Sequence, residues 1–161
     1  MIIKDITKSK KKKNTYLVAI DDKIYEFNEE IILEYRLYKG KEIEEDILTK
    51  AISSNDIQKY YNMAESYSIK YMKNSKEVYR YLIDKGLDSY KSNEIVDKLI
   101  EKRIIDDKKI IEAICYSLVI RSNGKKMINE KLKARFFDYR LIDEALDNID
   151  YDLYFEYLNK L

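Results

Sequence analysis

The 161-residue sequence contains no proline, no histidine and no tryptophan, and it has only three glycines. So few glycines without proline leave little material for the tight turns of a β-sandwich or barrel. Without histidine, the chain lacks the usual general base at neutral pH and the commonest metal ligand. We therefore expect a mostly helical protein that is not an enzyme and that holds neither a cofactor nor a metal.

Cysteine and long apolar runs are also scarce. The single cysteine, Cys115, cannot form an intrachain disulfide, which fits a reducing compartment. No apolar run reaches the roughly 18 residues needed to span a bilayer, and the N-terminus has no signal-type apolar segment. Apolar residues make up 45% of the sequence and charged residues 38%, enough for a buried core and a hydrated surface. These features predict a cytoplasmic protein with no membrane partner.

The N-terminal segment, residues 1–28, has the pattern of a small antiparallel sheet. Three short apolar stretches follow one another, and the last two flank Asp21 and Asp22, which fit a two-residue hairpin turn. The run from Lys10 to Lys13 lies between the first two stretches, and four adjacent like charges need water. We expect three strands joined by an exposed lysine loop and a tight turn.

Helical spacing of apolar residues begins at Glu29. The first helix is expected to end at Gly40, because glycine favours the left-handed conformation that closes many helices. A second short helix is expected to close at the polar cluster from Ser53 to Asp56, which can also cap the next helix. That next helix is expected to be long and to end at Met72.

Beyond this long helix, the sequence repeats itself. Leu82 recurs fifty positions later as Leu132, whereas Ile95 recurs only forty-seven positions later as Ile142. We attribute the smaller offset to a longer loop in the first copy. Each copy is expected to contain a long helix and two short ones. The predicted helices are 56–72, 75–85 and 93–102 in the first copy, and 106–121, 125–135 and 139–148 in the second.

These periodicities define the expected architecture. We expect a mostly α fold in which tandem three-helix repeats stack in an elongated, curved body, with a small N-terminal antiparallel β-sheet. An apolar face on residues 150–161 is expected to open a third copy. The expected segments are 1–54 for the sheet and two short helices, 55–105 and 106–149 for two repeats, and 150–161 for the first helix of a truncated third repeat.

Short motifs recur at matching stations of the two copies. The first copy carries Ser75-Lys76-Glu77-Val78, Leu82-Ile83-Asp84-Lys85-Gly86 and Ile104-Ile105-Asp106-Asp107. The second copy carries Gly124-Lys125-Lys126-Met127-Ile128, Leu132-Lys133-Ala134-Arg135-Phe136 and Ile142-Asp143-Glu144-Ala145-Leu146. In their order and spacing these motifs resemble the RecX family, although Phe136 stands where the family pattern has glycine.

The resemblance implies a function as well as a fold. RecX proteins regulate the RecA recombinase, which acts in homologous recombination, DNA repair and the SOS response. The resemblance therefore implies a non-catalytic regulator that binds the RecA filament and inhibits its ATPase, strand-exchange and coprotease activities. The alternative is a helical DNA-binding protein, such as a transcriptional regulator whose short second helix enters the major groove.

Basic charge is concentrated in three blocks. Residues 1–13 sum to +5, residues 70–86 to +3 and residues 121–140 to +5, while residues 143–161 sum to −5. A basic helix surface can contact DNA phosphates or an acidic protein surface, or it can be a solvated face without a partner. The candidate contacts to RecA, or to single- or double-stranded DNA, are Lys70, Lys73, Lys76, Arg80, Arg121, Lys125, Lys126, Lys131, Lys133 and Arg135.

Helix geometry ranks the candidates in the third block. Ile128, Leu132 and Phe136 define the stripe that is expected to be buried. Lys126 and Lys133 lie away from this stripe, so we expect both to point into solvent. These two lysines are the better contact candidates.

The tyrosines and paired carboxylates have structural explanations. Most of the sixteen tyrosines, including Tyr71, lie at core or core-edge positions, whereas Tyr79 and Tyr90 remain candidates for base stacking. Asp106 and Asp107 stand at a predicted helix start, where carboxylates cap free amides and interact favourably with the helix dipole. We expect capping from this pair rather than catalysis.

Overall fold

In the computed structural model, which describes residues 1–149, the chain forms three strands and seven helices. The prediction of a mostly helical protein with a small N-terminal antiparallel sheet is confirmed. The helix predicted over 150–161 lies outside the described residues. The elements are β1 (Ile3–Lys8), β2 (Thr15–Ile20), β3 (Lys23–Asn28), α1 (Glu29–Glu34), α2 (Glu45–Tyr71), α3 (Ser75–Asp84), α4 (Ser89–Glu101), α5 (Asp107–Ile120), α6 (Lys125–Ala134) and α7 (Tyr139–Asp147).

The chain divides into two compact units, and the division falls within α2. The first unit is Met1–Met63, and the second begins at Ala64. The predicted segments 55–105 and 106–149 stay predictions.

The three strands form one antiparallel sheet in the order β1-β2-β3. Ile20 pairs with Lys23, so Asp21 and Asp22 form the two-residue turn between β2 and β3. The lysines from Lys10 to Lys13 are exposed in the connection between β1 and β2. Both turn predictions are confirmed. A short polar turn and a charged loop can each remain hydrated at these positions.

One face of the sheet packs on α1 and the start of α2. Alternate residues of a strand point to opposite faces, which places Val18 and Ile20 of β2 and Phe27 of β3 on one side. The buried cluster consists of Ile3, Val18, Ile20, Phe27, Ile31, Leu37, Ile43, Leu48 and Ala51. This cluster gives the first unit a core of its own.

The first helix is shorter than predicted, and the expectation that Gly40 closes it is wrong. α1 ends at Glu34, and Arg36 reverses the chain with a left-handed φ of 48°. The turn lets Leu37 enter the core directly. Gly40 follows in a separate turn, where its N–H donates to the carbonyl of Ile3 at 2.7 Å.

The predicted break between two helices at Ser53 to Asp56 is also wrong, since α2 runs without interruption through this cluster. The reason is the buried side chain of Asn55. Its Oδ1 accepts the N–H of Asn28 at 2.8 Å, and its Nδ2 donates to the carbonyl of Glu26 at 3.0 Å. An asparagine that could compete with the helix backbone is therefore satisfied by β3 instead.

Helices α3 and α4 form a pair that recurs as α6 and α7. We call α3–α4 the first pair and α6–α7 the second pair. Leu82 and Leu132 are both fully buried, as the repeat predicted. Asp88 caps α4 and Asp138 caps α7, and these two residues lie fifty positions apart. The predicted offset of forty-seven is therefore wrong, because α4 already begins at Ser89.

The turn inside the second pair corrects another prediction. Phe136 was expected in the buried stripe, but it is 46% exposed, while Phe137 is buried. Phe136 has a left-handed φ of 62°, and the equivalent residue in the first pair, Gly86, has a φ of 96°. A left-handed residue after a helix reverses the chain and points the next side chain inward. Phe137 therefore fills the position that Leu87 fills in the first pair.

The second pair encloses a continuous apolar cluster with α5. Its buried members are Ile110, Ile111, Cys115, Leu118, Val119, Ile128, Leu132, Phe137, Ile142 and Ile149. Burial, together with the nearby Glu112 carboxylate, raises the pKa of the Cys115 thiol. Cys115 thus behaves as a small buried hydrophobe, as predicted.

Candidate partner-binding surface

The basic face of α6 is positioned by the core beneath it. Ile128 and Leu132 are fully buried and fix the rotation of the helix. Lys126 and Lys133 are exposed, as predicted from the same spacing. Lys133 Nζ also lies 5.2 Å from the centre of the Tyr139 ring, which is itself exposed.

The other candidates differ in their surroundings. Lys73 and Arg135 are half-buried, and so is Lys125. Arg80 is exposed, but its guanidinium lies 3.7 Å from the centre of the Phe136 ring. The exposed candidates are Lys70, Lys76, Arg80, Arg121, Lys126, Lys131 and Lys133.

Two of the three basic blocks meet at Glu77 in α3. Arg135 Nη2 lies 2.7 Å from Glu77 Oε1, and Lys73 Nζ lies 3.5 Å from Glu77 Oε2. Burial of Glu77 opposes ionisation, but hydrogen bonds from Arg135 and from the Asn74 backbone outweigh it, helped by the charges of Arg135 and Lys73. The pKa of Glu77 is therefore held below its ordinary value. The side chains of Lys73 and Arg135 thus already form ion pairs with Glu77 within the protein.

Asn74 is the residue at this junction that the sequence analysis missed. It is fully buried and caps α3, because its Oδ1 accepts the N–H of Glu77 at 2.9 Å. The Glu77 carboxylate in turn accepts the Asn74 N–H, which completes a capping box. Asn74 Nδ2 also donates to the carbonyl of Arg135 at 2.8 Å. The Asn-x-x-Glu spacing was the available sequence signal for the cap, but not for the bond to Arg135.

A second polar contact joins α3 to the start of α5. Asp107 accepts the N–H of Ser75 at 2.8 Å and also the Ser75 hydroxyl. Asp106 caps α5 by accepting the N–H of Lys109 at 3.2 Å. Capping by Asp106 is confirmed, whereas Asp107 links two helices.

The tyrosines near the second basic block stack on one another and on lysines. The Tyr67 and Tyr81 rings are parallel, with centroids 4.0 Å apart. Lys73 Nζ lies over Tyr67 and Lys85 Nζ over Tyr81. The prediction of a core or core-edge position is wrong for Tyr71, which is exposed. Its ring lies at the C-terminal end of α2, where Lys70 covers one face.

Among residues 1–149, no group of three or more Cys, Asp or Glu side chains is arranged to hold a metal ion. Within the same residues, no helix combines the length and apolar character needed to cross a membrane.

Solved structures give the fold a precedent. A crystal structure of regulatory protein RecX superposes with a TM-score of 0.82 over 99% of this chain and 79% of that chain, at 22% identity. The crystal structure of RecX from Lactobacillus salivarius superposes with a TM-score of 0.60 over 65% of this chain and 68% of that chain, at 28% identity. The likeness to the first structure extends over the whole fold described above.

Sequence relatives are consistent with this precedent. No protein-family profile matches the chain. Regulatory protein RecX of Oceanobacillus iheyensis is 30% identical over 149 residues, which cover 88% of this chain and 55% of that protein. Regulatory protein RecX of Bacillus velezensis is 30% identical over 153 residues, which cover 91% of this chain and 58% of that protein. The chain thus spans somewhat more than half the length of these relatives, and it belongs to the RecX family of regulatory proteins.

Proposed function

We propose that this chain is a non-catalytic regulator that binds the RecA filament and lowers its ATPase, strand-exchange and coprotease activities. The proposed site of action is the cytoplasm, as the sequence predicts. The main support for the proposal is the exposed basic face of α6. Lys126 and Lys133 are exposed on this helix, while Ile128 and Leu132 on its other side are buried. Family membership supports the regulatory role.

The chemistry of this face favours an acidic partner. Two exposed ammonium groups on one rigid helix attract carboxylates or phosphates, and such charges raise the rate of encounter and set orientation more than they add affinity. Lys131 and Arg121 are also exposed in the same basic block. RecA on single-stranded DNA offers both kinds of anion, so the partner atoms are carboxylates of RecA or phosphates of the bound strand.

The direct test is ATP turnover by RecA on single-stranded DNA with increasing amounts of this chain. We expect turnover to fall at substoichiometric or near-stoichiometric amounts, and we expect the chain alone to hydrolyse no ATP. Unchanged RecA turnover would contradict the proposed inhibition. Intrinsic hydrolysis that disappears when one carboxylate is replaced would contradict a non-catalytic role.

A charge-reversal pair tests the contribution of α6. Lys126→Glu combined with Lys133→Glu should weaken inhibition, and the difference from wild type should shrink at high salt, because salt screens the wild-type attraction. The matched control is Lys50→Glu with Lys59→Glu, which makes the same change in net charge at two exposed positions of α2. Equal inhibition by the two folded double variants would show that the α6 face is a solvated surface without a partner.

DNA binding is the second candidate function. It is supported by a lysine–tyrosine cluster, which consists of Lys70, Lys73 and Lys85 with the rings of Tyr71, Tyr67 and Tyr81. Lys70 and Lys85 each lie within 6 Å of a tyrosine ring centre, and so does Lys73, which also pairs with Glu77. Cations beside aromatic faces suit a nucleic acid strand. Fluorescence anisotropy of labelled DNA without RecA separates the candidates. Salt-sensitive binding that is lost in Lys70→Glu but retained in Lys50→Glu would favour a DNA contact at this cluster.

A further inference from the structure

We propose that Asn74, Glu77 and Arg135 form a clasp that fixes the orientation of the first helix pair relative to the second. The clasp is defined by these three residues, two at the start of α3 and one directly after α6. In the proposed role, the clasp is a positioning device that holds the two basic blocks at a set spacing.

The first support is that the contacts run in both directions. Asn74 Nδ2 of the first pair donates to the backbone carbonyl of Arg135 at 2.8 Å, and Arg135 Nη2 of the second pair donates to Glu77 at 2.7 Å. Arg135 Nη2 also lies 3.3 Å from the carbonyl of Met72. Backbone and side chain of one residue are thus held by the other pair, which restricts rotation as well as separation.

The second support is that the contacts are partly shielded from water, although the Arg135 side chain is 34% exposed. Asn74 is fully buried, and the Glu77 side chain is 17% exposed. An ion pair of this kind is screened less by salt than a surface pair, and losing one partner leaves an uncompensated polar group. Lys4 and Asp22 in the sheet form a contrasting pair, because their side chains are largely exposed.

The third support is the open space beside the clasp. A groove of about 250 Å³ is lined by Tyr71 and Met72 at the end of α2, by Ile110 and Ile114 of α5, and by Arg135. Close-packed side chains would resist movement, whereas an open groove leaves room for it. Side chains of α2 and α5 thus leave open space beside Arg135. The first pair contacts the second at this junction through the hydrogen bonds of the clasp and through Arg80 on the Phe136 ring.

The clasp also determines the spacing of the basic blocks. Lys76 is exposed on α3, one residue before Glu77, and Lys133 is exposed on α6, two residues before Arg135. A shift at the clasp changes the distance between these lysines directly. The consequence for partner binding rests on the proposed function, whereas the clasp itself rests on geometry alone.

The test is the distance between the helix pairs, measured by pulsed electron paramagnetic resonance. Spin labels are attached to cysteines that replace Glu94 of α4 and Glu130 of α6, both exposed, in a Cys115→Ala background. Two variants weaken the clasp with little other change. Glu77→Gln keeps an acceptor for the capping box but removes the charge, and Asn74→Ser keeps a capping oxygen but removes the Nδ2 amide that donates to Arg135. Lys4→Met, which breaks the exposed pair, is the control.

We expect the distance distribution to broaden or shift in both clasp variants and to match wild type in Lys4→Met. Wild-type distributions in both clasp variants, with helical content retained, would overturn the proposal. RecA ATPase inhibition by the same variants tests the consequence separately. A changed distance with full inhibition supports the clasp and contradicts its link to the proposed function, whereas lost inhibition at an unchanged distance overturns the clasp.

Discussion

The two helix pairs have the same backbone plan but differ in how individual positions are used. Leu82 and Leu132 fill equivalent core positions, and both are fully buried. Gly86 and Phe136 occupy equivalent left-handed positions, although only glycine adopts that conformation without strain. The two leucines are therefore alike, and the turn residue is not.

The positions that differ are the ones that connect the pairs. Asn74 caps α3 with its side chain, whereas Gly124, its equivalent before α6, provides no side-chain cap. The Asn74 side chain contacts Arg135, and the Phe136 ring contacts Arg80 across the same junction. The comparison indicates that shared apolar positions hold each pair together, while the unlike polar and aromatic positions hold one pair to the other.

The largest expected effect tests the shared core. Leu82→Ala and Leu132→Ala should each lower the free energy of unfolding by about 2–5 kcal/mol, because each removes a fully buried side chain and leaves a cavity. Denaturant unfolding monitored by circular dichroism gives both values. A cost below about 1 kcal/mol at either leucine would break the equivalence of the two pairs.

A smaller effect is expected at the cap that belongs to the clasp. Asn74→Ala should cost about 2 kcal/mol, since it removes both the cap of α3 and the bond to Arg135. Asp88→Ala removes a cap of similar geometry at an exposed position and should cost about 1 kcal/mol. Equal costs in urea unfolding would show that the bond to Arg135 adds nothing.

The two turn residues should respond differently. Gly86→Ala should cost about 1 kcal/mol, because its φ of 96° disfavours a side chain although the space around it is open. Phe136→Gly relieves the same strain but loses the stacking of Arg80, so its net effect on stability should be near zero. Thermal unfolding of both variants checks this, and a large loss in Phe136→Gly would mean that the ring contact outweighs the strain.

The expected pH effect is confined to acid conditions. The pKa of Glu77 in the folded protein lies below its ordinary value of 4.5, so its ion pair stabilises the fold above that value. This stabilisation is lost as the pH falls through the lower, folded pKa. Urea unfolding from about pH 6 to pH 3 should therefore show wild type and Glu77→Gln converging in acid. A constant difference between them would contradict the ionic contribution.

Sequence periodicity predicted what depends on local pattern. The three strands, the turn at Asp21 and Asp22, and the burial of Leu82 and Leu132 all follow from residues close in the chain. The exposure of Lys126 and Lys133 was predicted in the same way, because the buried stripe of a helix determines which of its residues face solvent.

The errors arose where distant residues decide the structure. Ser53 to Asp56 has the composition of a helix boundary, but a bond from Asn55 to β3 keeps the helix continuous. Phe136 has the spacing of a core residue, but the left-handed turn moves Phe137 into the core instead. The clasp itself joins residues about sixty positions apart, a separation that no local pattern indicates.

A double-mutant cycle on the ion pair between Glu77 and Arg135 tests most directly whether the unlike positions hold the first helix pair to the second. Glu77→Gln, Arg135→Met and their combination should give a coupling free energy of about 1–3 kcal/mol, because the partners are partly buried and in direct contact. The matched cycle on Lys4 and Asp22 should give less than about 0.5 kcal/mol, as exposed pairs do. Equal coupling in the two cycles would contradict the account, since the contact between Glu77 and Arg135 would then be no stronger than an ordinary surface pair.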